Sequence, residues 1–311
     1  NTAAMADRHS IHIDRPIVQA DLDFLDGRAD LIGHDDATLG NAPAAVIGIG
    51  DHWDAERFAQ FPNLRVISRA GIGYDNVDVD AATAAGVIVC NGPDSPTVST
   101  AEHTLALMFA VTKELPAKIK RAADGLSGPG AATSLELDGA TLGLVGLGRI
   151  AKRVAVAAQA FGMQVIACDP FLETSPIPGV TLAPFHQVIS SAHVLSLHAP
   201  STAETRHMMN ATSFAAMRPG SYLINCARGP LVDHDALLAT LHAGHLTGAG
   251  LDVADPEPLP VGHPLLGRDD VVVTPHIASS TAIGRRRLYE HAFENALAVL
   301  DGRPASIVNP F

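Results

Sequence analysis

Residues Leu142–Cys168 read as an apolar strand, a glycine turn, a helix and a second apolar strand, and an acid, Asp169, follows directly. The turn is Gly146-Leu147-Gly148-Arg149-Ile150-Ala151, a G-x-G-x-x-A pattern, and Asp169 stands twenty-one residues after Gly148. Each part has a physical task. Gly146 permits a tight turn, Gly148 lets a pyrophosphate approach the backbone, and Ala151 is small enough for helix and strand to pack closely. The anion would sit on the free N–H groups that open the helix near Arg149, where the helix dipole favours negative charge. Asp169 would accept hydrogen bonds from ribose hydroxyls. A carboxylate there repels a 2′-phosphate, and Pro170-Phe171-Leu172 offers no cation to receive one. The pattern therefore points to NAD over NADP, bound on a parallel α/β sheet.

The chain has 311 residues, long for one core and natural for two domains. With 47% hydrophobic and 17% charged residues it can bury a large interior, and a net charge of −12 argues against nucleic acid or an anionic membrane as partner. Three cysteines, Cys90, Cys168 and Cys226, show neither disulfide nor metal spacing. No apolar run is long enough for a membrane span, and Asn1–Ser10 lacks the order of a signal peptide and reads as a loose end. These features lead us to expect a cytoplasmic protein.

From about Thr100 to Thr281, short apolar strands alternate with helices. The expected strands are Thr141–Gly146, Met163–Cys168, His193–Leu197, Ser221–Cys226, Gly248–Val253 and Val271–Thr274, with helices such as Arg149–Phe161 and His234–Ala243 between them. This pattern predicts a parallel sheet covered on both faces. The first hundred residues repeat it more faintly: strands at Ala29–Gly33, Ala44–Ile49, Arg65–Ser68 and Val87–Asn91, helices at Leu22–Asp26 and Asp54–Phe61. That half lacks a glycine fingerprint, which suits a second α/β domain serving the substrate. Val98–Lys118 and Ile283–Leu300 read as long helices, each able to pass between the domains, and Ala123–Ser134 reads as a loop.

Three segments after the fingerprint end predicted strands, on the edge where ligands bind in open α/β sheets. Arg228 leaves one strand just before Gly229-Pro230; Glu257 stands between Pro256 and Pro258; His276 ends the last strand. An Arg, a Glu and a His on one rim suit reduction of a 2-oxo acid. A guanidinium can hold a carboxylate and polarise the adjacent carbonyl, a histidine can exchange the proton, and a glutamate can orient the ring and stabilise its cation. His198, also at a strand end, would line the cofactor site. Asp252 would either contact the nicotinamide amide or bond the backbone of its own turn. Asp233 reads as an N-cap for the helix that begins at His234.

With these residues in view, the chain closely resembles the NAD-dependent D-isomer-specific 2-hydroxyacid dehydrogenases. The resemblance runs through Arg69–Asp78, Ala101–Leu107, Gly143–Ile150, Leu197–Pro200, Asn225–Asp233, Gly250–Pro258, Pro275–Ser280, Glu294-Asn295-Ala296 and Val308-Asn309-Pro310. It implies two Rossmann-like, doubly wound parallel-sheet domains with a cleft between them: residues 1–99 plus 283–311 for substrate and 100–282 for NAD. It also implies a homodimer, no metal, and a small-molecule 2-oxo or 2-hydroxy acid as the partner. The family's catalytic trio falls on Arg228, Glu257 and His276. Its carboxylate-binding turn falls on Ala70, Gly71, Ile72 and Gly73, with Arg228 again on the substrate. Cofactor contacts fall on Gly146, Gly148, Arg149, Ile150, Asp169, His198, Cys226, Ala227 and Asp252.

Members that act on phosphoglycerate usually place basic residues after the strand that here runs into Asp51 and His52, where no cation comes before Arg57. A non-phosphorylated substrate is therefore expected, its side chain facing His52, Trp53 or Tyr74. The loop Ala123–Leu137 lacks the tryptophan that many relatives carry in their dimer arm, and formate-oxidising relatives have Gln in place of Glu257. The competing expectation is an NADH-sensing scaffold of the corepressor type, with little turnover.

Overall fold

A computed structural model describes residues 9–14, 28–32, 44–48, 50–128, 133–303 and 305–309. The expected helix Leu22–Asp26, Gly33 and Ile49 of two expected strands, and Pro304 and Pro310 of the tail lie outside these residues. The chain divides into two compact units, Asn1–Thr97 with Ser280–Phe311, and Val98–Ser279.

In the first unit, β1 (Ser10–Ile13), β2 (Asp30–Ile32), β3 (Ala45–Gly48), β4 (Val66–Arg69) and β5 (Ile88–Cys90) form a parallel sheet ordered β2-β1-β3-β4-β5. β1 is not among the expected strands, because His12 interrupts its apolar run and hides it; the expected loose end Asn1–Ser10 meets it only at Ser10, and residues 1–8 lie outside the described ones. Two short helices follow, α1 (Ala55–Ala59), capped by Asp54, and α2 (Val79–Ala84), capped by Asp78. One face of the sheet packs Ile11, Ile47 and Val66 against Ala292, Phe293 and Ala296 of the last helix, Ala282–Leu300. The other packs Ile67 and Val89 against Trp53, Phe58 and Phe61. The tail secures β5: Asn309 accepts from Val89 N and donates to Val87 O.

The second unit opens with α3 (Thr97–Thr112) and α4 (Leu115–Ala123), two helices where Val98–Lys118 reads as one. Pro116 cannot donate to the carbonyl of Thr112, Glu114 turns left-handed at φ 54, and the N–H of Leu135 takes the freed carbonyl at 2.9 Å. Then come β6 (Thr141–Val145), α5 (Arg149–Ala160), β7 (Gln164–Cys168), β8 (Val180–Leu182), α6 (Phe185–Ser191), β9 (Val194–Leu197), α7 (Ala211–Ala216), β10 (Ser221–Asn225), α8 (His234–His242), β11 (Leu246–Leu251) and β12 (Val271–Val273). Asp233 caps α8 as expected, accepting from Ala236 N at 3.0 Å. All pairings are parallel, in the order β12-β11-β10-β9-β6-β7-β8. This is the doubly wound dinucleotide-binding order with one strand added, and its direction reverses between β6 and β9. β6 and β9 are buried on both faces, which explains their continuous apolar sequences. α5 turns Ala151, Val154, Ala155 and Ala158 onto the sheet, one stripe of helical spacing. No helix among the described residues is long and apolar enough to cross a membrane.

Candidate active site

The register of the second sheet aligns its strand ends. Cys168, Val145, Leu197, Asn225, Leu251 and Val273 form one paired row across β7, β6, β9, β10, β11 and β12. One residue further along each strand stand Asp169, Gly146, His198, Cys226, Asp252 and Thr274, a second row on the C-terminal edge of the sheet. Adjacent strands are about 4.8 Å apart, so Asp169 and the end of β10 are separated by roughly 14 Å along this edge.

The middle of the row fits a dinucleotide. Gly146 has φ 90, and a Cβ there would meet the His198 carbonyl carbon at 3.0 Å, so the two strands on either side of the reversal come together only over glycine. Gly148 is the N-cap of α5 with no side-chain cap bond, and a Cβ there would meet nothing within 4 Å. The space beside Gly148, just before the residues Arg149 and Ile150 that begin α5, is therefore open. Asp169 Oδ2 accepts from Leu147 N at 2.9 Å and Oδ1 from Phe171 N at 3.0 Å, so the glycine turn orients the carboxylate while each oxygen keeps a further lone pair. His198 lies within 3.0 Å of Ser196 Oγ, and burial pulls its pKa down to about 4, so the ring is neutral near pH 7.

At the other end of the row, three neighbouring strands bring Arg228, Glu257 and His276 together. Asn225 fixes the turn after β10, accepting from Ala227 N at 3.0 Å and donating to Arg228 O at 2.9 Å. Gly229 then lies so close to the Ala254 backbone that no side chain fits between them. Ala254 N in turn donates to Glu257 Oε2 at 3.3 Å. The Arg228 turn and the Glu257 loop are thus packed as one body. Glu257 Oε1 lies 2.6 Å from His276 Nδ1. Burial pushes the Glu257 carboxyl up, but the hydrogen bond and charge of His276, the Ala254 amide and the Arg228 charge outweigh it and hold it below its ordinary range. An ionised carboxylate only accepts, so Nδ1 carries the hydrogen and Nε2 is the nitrogen left to exchange a proton.

His276 itself has φ 53, a left-handed conformation that costs a non-glycine residue about 1–3 kcal/mol. Fully buried Asp252 holds it there. The Asp252 carboxylate accepts from Ile277 N at 2.9 Å, Ala278 N at 2.8 Å and Thr274 Oγ1 at 2.6 Å, and its carbonyl accepts from His276 N at 2.8 Å. The Asp252 carboxylate does not bond the backbone of its own turn, as one of the two expectations had it: these partners lie in the turn that follows β12. Cys226 and Ala227 complete the edge; burial pushes the Cys226 thiol up to about 12, which leaves it unreactive. Gly229, Thr274 and His103, which touches Thr274, escape a reading of the sequence, since their partners are distant in the chain or their signal is a single small residue.

The turn Ala70–Gly73 belongs to the first unit, following β4. Three of its carbonyls are occupied: Gly71 O accepts from Gly92 N at 2.8 Å, Ile72 O from Asn91 Nδ2 at 2.8 Å, and Gly73 O from Arg69 Nε at 2.7 Å. In a trans peptide the next N–H points opposite to the carbonyl, so the amides of Ile72, Gly73 and Tyr74 are directed away from these partners, as an anion-binding turn requires. Trp53 corrects one expectation. It is 1% exposed, with ring centroids 5.5 and 5.4 Å from Phe58 and Phe61, and so belongs to the core and cannot face a substrate. Arg57 lies over the Trp53 ring at 5.3 Å and 3.6 Å from Asp51. His52 and Tyr74 remain exposed.

The second unit is thus a doubly wound sheet with a glycine-rich turn at its reversal, and an Arg and a Glu–His pair further along the same edge. Comparison with known proteins agrees. Residues 105–278 match the model of the D-isomer specific 2-hydroxyacid dehydrogenase NAD binding domain. The chain is 35% identical to the glyoxylate reductase of Thermofilum pendens over 97% of its own length and 95% of that protein's. It is 40% identical to the D-3-phosphoglycerate dehydrogenase of Bacillus subtilis (strain 168) over 79% of its own length, but spans only 47%, about half, of that longer protein. The crystal structure of the TT0316 protein from Thermus thermophilus superposes with a TM-score of 0.87 at 39% identity, covering 96% of this chain and 99% of that one. The chain belongs to the D-isomer specific 2-hydroxyacid dehydrogenases, and its second unit carries their NAD binding domain.

Proposed function

We propose that this protein is an NAD-dependent reductase of small, non-phosphorylated 2-oxo acids, forming D-2-hydroxy acids, with residues 100–282 binding the cofactor. The observation that carries this reading is the 2.6 Å pair of His276 and Glu257 beside Arg228, on the same sheet edge as the cradle. Bound NADH supplies the hydride that reaches carbon 2. The protein's residues do the rest. Arg228 holds the carboxylate and draws charge toward the carbonyl oxygen. His276 Nε2 gives its proton to that oxygen, and the ionised Glu257 stabilises the imidazolium that precedes the transfer. The outward amides of the Ala70–Gly73 turn receive the substrate carboxylate. Gly146, Gly148, Arg149 and Ile150 would hold the pyrophosphate, Asp169 the ribose, and His198, Cys226 and Ala227 the nicotinamide half, with fully buried Asp252 supporting that edge from beneath.

One point favours a non-phosphorylated acid: the nearest cation after β3 in the chain, Arg57, is engaged with Trp53 and Asp51. The test is initial-rate NADH oxidation with glyoxylate, hydroxypyruvate, pyruvate and longer 2-oxo acids, beside reduction of NAD by D-3-phosphoglycerate, for the wild type and His276→Ala. One class of unphosphorylated oxo acid should be turned over quickly, and His276→Ala should be at least about a hundredfold slower. Preference for D-3-phosphoglycerate would refute the substrate class. Tight NADH binding with no turnover of any acid would move the scaffold reading to the front.

A further inference from the structure

From α3, the ring of His103 reaches the end of β12. Its Nε2 lies 3.0 Å from Thr274 Oγ1 and 3.3 Å from Asp252 Oδ1. The directions of these bonds follow from the groups. The Asp252 carboxylate accepts, so the Thr274 hydroxyl donates to it at 2.6 Å. The hydroxyl oxygen is left as an acceptor, and His103 must therefore present Nε2–H to it. A hydroxyl rotates freely unless something receives its hydrogen and something else donates to its oxygen; Asp252 and His103 provide the two. Beyond Thr274, Asp252 accepts from Ile277 N and Ala278 N and takes His276 N on its carbonyl. The path from His103 thus ends on the backbone to either side of the left-handed His276.

We propose that His103 is a positioning residue for His276. Its N–H locks Thr274 onto Asp252, Asp252 locks the 274–278 turn, and the turn aims the His276 ring at Glu257. A leucine at 103 would keep the packing of α3 but leave Thr274 free to turn its hydroxyl away. The inference rests on the reading of His276 as the acid–base group, and its effect belongs in the rate of the chemical step. Small displacements of a reacting group cost up to about a hundredfold in rate.

The experiment uses the full chain as His103→Leu, His103→Gln, Thr274→Val and the double variant His103→Leu/Thr274→Val, with His276→Ala in parallel. Rates are measured with the best 2-oxo acid of the panel, NADH affinity by cofactor fluorescence, and folding by thermal melting. His103→Leu and Thr274→Val should lower kcat by about ten- to a hundredfold, with KM and the NADH Kd within about threefold of wild type. His103→Gln, whose amide N–H can reach the same oxygen, should recover to within about threefold of wild type, and the double variant should be no slower than the worse single one. The proposal is overturned by wild-type kcat in either single variant, by a glutamine as slow as leucine, by multiplying losses in the double variant, or by a loss confined to the NADH Kd. If His103→Leu does not fold, kcat of Thr274→Val decides. A His276→Ala variant as fast as wild type would instead remove the proposed function on which this rests.

Discussion

Alanine at Gly146 and alanine at Gly148, two residues apart in one turn, should fail in opposite ways. At Gly146 the new methyl would carry φ 90 and stand 2.8 Å from the His198 carbonyl oxygen, which belongs to rigid backbone at the end of β9. Left-handed strain and overpacking together put the cost at about 3–5 kcal/mol. The second unit should melt far lower whether or not cofactor is present. At Gly148 the φ is −75, and the methyl would meet nothing within 4 Å. Restricting the unfolded chain offsets the slightly poorer cap, so stability should stay within about 1 kcal/mol of wild type. The same methyl, however, fills part of the open space at the start of α5, where the pyrophosphate would lie. The NADH Kd should rise at least about tenfold, or ~1.4 kcal/mol. Thermal melting of the free chain and NADH titration by fluorescence give both numbers from one preparation. Wild-type affinity in Gly148→Ala would mean that no pyrophosphate lies against this turn, and a wild-type melt in Gly146→Ala would refute the packing argument.

Acid should loosen the second unit before its carboxylates titrate. His198 titrates near 6.5 in an unfolded chain and near 4 in place, because burial opposes its charge. Between those values the unfolded chain binds the extra proton, so stability is full above about pH 6.5 and falls by about 3 kcal/mol by about pH 4. His193 and His234, whose pKa values burial also lowers, act in the same direction. Hydrogen exchange of β6 and β9 amides across this range, corrected for the intrinsic rate, should show a shallower loss in His198→Gln; equal slopes would contradict the assignment. Asp169→Ala should raise the NADPH-to-NADH ratio of kcat/KM by about tenfold or more, by removing charge that repels a 2′-phosphate. An unchanged ratio in initial-rate assays would take cofactor choice away from Asp169.

The site was legible in the sequence where chemistry sits at the end of an apolar run. Asp169, His198, Arg228 and His276 each come at or within three residues of the end of an apolar strand run, and Glu257 six residues past one; that junction is visible in the chain alone. The break between α3 and α4 was also written in the sequence, at Pro116, but an apolar pattern continuous on both sides hides it. The strand β8 is three residues at a sheet edge, too short to show a period. β11 ends at Leu251, two residues before the expected Val253, since register with Asn225 and Val273 sets its limit. His103 could not be found, because its meaning depends on Thr274, 171 positions away. Trp53 misled for a related reason: an aromatic beside a strand end can face a ligand or a core, and only Phe58 and Phe61 around it decide.

The aligned row of strand ends separates two kinds of tolerance to change. Asp169, Gly146, His198, Cys226, Asp252 and Thr274 each stand one residue beyond a paired ladder, and Arg228 and His276 stand three residues beyond it. A one-residue insertion within β9, β10 or β11 would turn a functional side chain to the opposite face, even where the sheet itself could adjust. Beyond the row the chain is under no such constraint. The exposed stretch around Val261 and Gly262 and the turn at Gly267 can lengthen or shorten without moving Glu257 or His276 out of phase. A lineage of such proteins can therefore remodel what surrounds the reacting carbon by editing overhangs, while the machinery that meets the nicotinamide stays tied to the sheet.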